Sequence, residues 1–146
     1  MGVICPCGVF VEAFVENHKV KFICLPERIT GNLAYSADIC ITSPETSTFT
    51  MTFTDTETPN ENNFTFVAKT FSLIKCRKVG QNCEVTVRGI GIVNGRRFAF
   101  EAIFIDVAQQ FGKDIIQKFV IGGFFDQNGA LAVPQGSIKA EGCQEA

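Results

Sequence analysis

The segment Ser47–Thr54 reads S-T-F-T-M-T-F-T, and no other stretch constrains the fold as tightly. Phe49, Met51 and Phe53 fall on one side, the threonines on the other. A period of two belongs to an extended strand with one buried face; a helix would scatter the same residues around its circumference. The pattern recurs along the chain. Val9–Val15 and Lys19–Cys24 form apolar or alternating runs on either side of a turn, and Ala34–Thr42 is a third. Asn63–Phe71 alternates through Phe64 and Phe66. Glu84–Val93 leads to Asn94-Gly95, and Phe98–Asp106 returns with Phe98, Phe100, Ala102 and Phe104 on one face. Asn-Gly between apolar runs is a strong hairpin signal, because a type I′ turn needs positive φ at both positions. Ile115–Phe125 and Ala130–Ala140 complete the series. About ten short strands punctuated by turns, with no helix, predict an all-β fold: an antiparallel β-sandwich of jelly-roll type. Polar Thr54–Asn63 is expected to be an exposed loop.

With 146 residues the chain can bury a real core as one domain, expected over residues 9–142. Residues 1–8 read as an extended arm and 143–146 as a tail. There are 15 Phe, one Tyr and no Trp, and net charge is −2. No basic stripe is present to neutralise phosphates, so nucleic acid is not an expected partner. No apolar run approaches the roughly 20 residues that span a bilayer as a helix, so no membrane partner is expected. The first residues lack a basic region, and Pro6 and Glu12 break the apolar stretch. A cleaved secretory signal is therefore not expected, and Pro6 stands where a myristoylation signal wants Ser or Thr.

Catalytic equipment is sparse, and no enzymatic activity or cofactor is expected. The single histidine, His18, lies beside Glu16 and Lys19 and reads as a loop residue. Gly89-Ile90-Gly91 opens no helix and lacks a third glycine, which argues against a dinucleotide site. Asn63-Phe64-Thr65 is a formal glycosylation sequon. Asp106, Asp114 and Asp126 sit at strand ends. They read as turn formers; converged on one edge, they would make a calcium-binding module, or a surface module for carbohydrate, the alternative function.

The seven cysteines carry most of the functional information. An odd number cannot close entirely within one chain. Cys76 and Cys83 flank a glycine-containing turn, where they could form a local hairpin disulfide or remain buried thiols. Cys5-Pro6-Cys7 could supply half of a zinc site, a further alternative, but the remaining cysteines lack the usual paired spacing and no metal is expected. Proline between the two keeps the backbone extended. On an arm, both thiols can reach a neighbouring subunit, where Cys24, Cys40 and Cys143 are the candidate receivers for intersubunit disulfides.

An arm bearing a cysteine pair, no export signal, and a β-domain of this size with further single cysteines resembles the subunits of bacterial endospore appendages. In the family the arm cysteines are typically adjacent, whereas here Pro6 separates them. The resemblance implies jelly-roll subunits stacked into a pilus-like fibre, each arm disulfide-bonded to preceding subunits. It also implies synthesis in the mother cell, which places the protein at the spore surface without a cleaved signal. The expected partner is the protein itself, as a homopolymer. Residues 88–142 also resemble a recurrent module of secreted and surface β-sandwiches, which supports the fold alone.

Overall fold

The computed structural model describes residues 5–57, 61–109 and 112–143. The strands are β1 (Gly8–Phe22), β2 (Ile29–Cys40), β3 (Thr48–Asp55), β4 (Phe64–Val79), β5 (Asn82–Val93), β6 (Arg96–Asp106), β7 (Asp114–Ile121), β8 (Phe125–Asp126), β9 (Leu131–Val133) and β10 (Ile138–Glu141). All pairings are antiparallel, as the alternation predicts. The expected jelly-roll is replaced by a simpler order. β1 to β8 pair in sequence, and β8 then pairs back onto β1 through Lys21–Asp126 and Phe22–Phe125. The sheet is thus a meander closed into a barrel. Hairpins between sequential neighbours, such as the Asn94-Gly95 turn with φ of 52° and 77°, leave no crossover to build two packed sheets.

Phenylalanine fills the interior. Phe49, Met51 and Phe53 point inward from β3, and Phe100, Ala102 and Phe104 from β6. Their rings meet mostly edge-on: Phe66 and Phe100 at 5.0 Å, Phe49 and Phe119 at 5.4 Å. Edge-to-face pairs add to plain area burial. Gly91 makes room for one of them, since a Cβ there would stand 2.2 Å from the Phe66 ring.

Two strands are longer than their sequence pattern indicates. β1 joins both predicted N-terminal runs, so His18 lies within a strand, not a turn. A bulge between Val15 and His18, with Asn17 at φ 53°, breaks the alternation without ending the strand. β4 continues past Phe71 to Val79 through register shifts between Ala68 and Thr70 and between Phe71 and Leu73. Each extra residue flips the face that follows, so a period-two reading stops there.

Closure is incomplete along β1. β10 pairs with Gly8–Val11 and β8 with Lys21 and Phe22; between them, among the described residues, no second strand pairs with β1, though Glu12 N–H donates to the Ser137 carbonyl at 2.9 Å. Gln127 bridges this seam. Its amide donates to the carbonyls of Ile116 and Gly129, both at 2.8 Å, and its Oε1 accepts from the Tyr35 hydroxyl at 2.6 Å. Its backbone carbonyl accepts from His18 Nε2 at 2.8 Å.

Candidate functional site

The alternating strand directions bring the start of β1, the end of β2, the β4–β5 hairpin and the β6–β7 connection to one pole of the barrel. The cysteines gather there. Cys5 bonds Cys40, Cys7 bonds Cys76 and Cys83 bonds Cys143, with Cα separations of 5.9, 5.8 and 5.6 Å. These separations lie in the normal range for a disulfide. Cys24, exposed in the loop between β1 and β2, is the one free cysteine among the described residues. That loop belongs to the opposite pole, beside an open recess lined by Lys19, Lys21, Glu27, Arg28 and Glu57.

This arrangement corrects several expectations. Cys5 and Cys7 bond within the chain, so residues 5–7 are not a free arm. The Cys7 carbonyl also accepts from Ile41 N–H at 2.9 Å, which extends the sheet towards the arm. Residues 1–4 and 144–146 lie outside the described residues. Cys40 and Cys143, expected as receivers for a neighbour, are occupied by Cys5 and Cys83. Cys76 and Cys83 do not bridge their own hairpin: Cys76 stands opposite Val85 and Cys83 opposite Lys78, so the register sends each to another partner. The Cys5-x-Cys7 pair is spent on two disulfides and offers no zinc half-site.

The three aspartates do not converge. Asp114, fully buried, accepts from the N–H groups of Val107, Gly136 and Ile138 at 2.9, 2.9 and 3.0 Å. Asp106 accepts from Ala140 N–H at 2.9 Å. Asp126 lies at the opposite pole, paired to Lys21, and accepts from Asn128 N–H at 2.8 Å. Burial raises the Asp106 carboxyl above its ordinary value; the Ala140 N–H opposes this and the nearby Asp114 charge adds to it. Asp106 and Asp114 therefore act as clamps that tie the segment around β10 to the disulfide pole. Their value as anchors was not visible in the sequence, because the donors around β10 lie 22 to 34 residues away.

The remaining surface feature is the outer face beside the seam. Phe14 is 57% exposed and Phe10 43%. Phe14 stands against Ala34, Ser36 and Thr50 in a shallow groove next to the unpaired stretch of β1. Three disulfides fit a non-reducing environment. No helix among the described residues is long and apolar enough to cross a membrane. By fold the molecule is a disulfide-bound antiparallel β-barrel. Comparison with known protein families, curated proteins and solved structures finds no match.

Proposed function

We propose that the protein is a non-enzymatic structural subunit that assembles with copies of itself into an extracellular fibre or spore-surface appendage or coat. One observation carries the reading: the free thiol and the disulfides occupy opposite poles. A thiol at one pole and exchangeable bonds at the other are complementary for head-to-tail contact. Such a heterologous contact grows into an open filament when its rotation does not close a ring. The Cys24 thiolate of one copy attacks the Cys5 sulfur of the next copy's Cys5–Cys40 bond, and Cys40 leaves as thiolate. One disulfide and one thiol remain after each step, so no oxidant is consumed. The arm then joins its own barrel through Cys7 and its neighbour through Cys5. Exposed Phe14 and Phe10 on the outer face beside the seam offer a second, non-covalent contact, since an exposed apolar patch marks an interaction surface.

Non-reducing denaturing electrophoresis of concentrated protein tests the reading. A ladder of covalent oligomers that collapses with reductant, and is absent in Cys24→Ser, is the expected result. A clean monomer band from the unaltered protein would overturn covalent assembly.

A further inference from the structure

We propose that the segment Ile138–Cys143 is a redox latch that shields the Cys7–Cys76 bond and is itself released by reduction of Cys83–Cys143. The segment is built onto the disulfide pole from several sides. β10 pairs with the start of β1, placing Glu141 opposite Gly8, directly behind the arm. The Glu141 carbonyl oxygen lies 3.3 Å from the Cys76 sulfur. Gly142 passes closer still. A Cβ on it would stand 2.7 Å from the Pro6 carbonyl oxygen, 3.0 Å from the Cys7 Cα and 3.0 Å from the Cys76 sulfur. Its φ of 120° is one that only glycine adopts freely. Backbone therefore rests directly against the Cys7–Cys76 bond, and Cys7 is only 9% exposed.

The latch has its own fastening. Beyond Gly142, Cys143 bonds Cys83 on β5 beside a small surface recess that also includes Gln81, Asp106 and Ala108. Thiol–disulfide exchange requires access to a sulfur along the bond axis. Each bond has one buried and one half-buried cysteine, with Cys83 at 7% and Cys7 at 9%. They differ in what lies against them: an open recess along Cys83–Cys143 and the Glu141–Gly142 backbone along Cys7–Cys76. A dithiol reduces Cys83–Cys143 to two thiols and is itself oxidised to a cyclic disulfide. The freed segment then lifts, and a second dithiol can reach Cys7–Cys76. The Cys5–Cys40 bond opens independently. This order of opening does not depend on whether the chain polymerises.

The test is timed reduction of the folded, oxidised full chain with dithiothreitol under native conditions, followed by iodoacetamide and peptide mass spectrometry. Cys83 and Cys143 are expected to be alkylated before Cys7 and Cys76. In the double variant Cys83→Ser/Cys143→Ser, Cys7 and Cys76 should be alkylated at least about tenfold faster, because access limits the exchange, while Cys5 and Cys40 keep their rate. Gly142→Ala, which retains all three bonds but pushes the segment off the Cys76 sulfur, should accelerate Cys7 and Cys76 in the same selective way. Simultaneous opening of all three bonds, prior opening of Cys7–Cys76, or unchanged rates in Gly142→Ala would overturn the latch.

Discussion

At the scale of single residues, polar side chains hold the places where strands stop pairing. Gln127 is buried and spends its amide on two carbonyls and the Tyr35 hydroxyl. Gln127→Ala would strand that hydroxyl in the core, where burial already pushes the Tyr35 phenol well above its usual pKa, with Asp126 adding to the effect. The expected loss is about 2–4 kcal/mol in urea unfolding. Asp106 and Glu101 make opposite contributions to the pH dependence. The Asp106 pKa is raised in the fold, so its charged form weakens the native state at neutral pH. Stability is gained as pH falls through the raised value towards 3.8. Asp106→Asn keeps an acceptor for Ala140 and should stabilise by less than about 1 kcal/mol at pH 7, after allowing for solvent screening. Hydrogen bonds from Lys118 and Arg88 lower the Glu101 pKa, so its contribution is present above 4.5 and lost as pH falls through the lowered value. Thermal melts of Asp106→Asn and Glu101→Gln from pH 7 to 3 should each remove one of these opposing trends. The bonds of Gln127 to Tyr35 and of Asp106 to Ala140 were not legible in the sequence, because the partners lie on strands far apart in the chain. Glu101, in contrast, meets Arg88 and Lys118 on the adjacent strands β5 and β7, where only the register was hidden.

At the scale of elements, the alternation in β3, β5 and β6 was legible because one face of each is buried and each strand keeps its register. It failed in β1 and β4, where bulges shift the inward face midway. The disulfide partners were equally hidden. Proximity along the chain suggested Cys76 with Cys83, but the two face different residues across their hairpin. The proposed non-covalent contact lies on the outer face of β1, at Phe14. Phe14→Lys places a charge on that apolar face. It should leave the near-ultraviolet circular dichroism of the monomer unchanged and reduce the oligomers seen by light scattering. Undiminished oligomers would remove this face of β1 from the interface.

At the scale of the whole molecule, the chain is a Phe-packed barrel bound covalently at one pole and open to thiol chemistry at the other. The three bonds close loops of 35, 69 and 60 residues. In the chain-entropy model a loop of this size constrains the unfolded state by about 4 kcal/mol, although overlapping loops do not add in full. Full reduction should therefore lower the melting temperature markedly. The cysteine count pointed to bonds beyond one chain, while the closed sheet shows that six of the seven are satisfied at home. What remains distinctive is the polarity of Cys24 against the rest. Mixing nitrogen-15-labelled and unlabelled protein before assembly, then mapping disulfide peptides by mass spectrometry, tests this most directly. Head-to-tail exchange predicts hybrid peptides joining Cys24 of one isotope to Cys5 of the other. Finding Cys24 only as a free thiol, with every disulfide joining peptides of the same isotope, would contradict it.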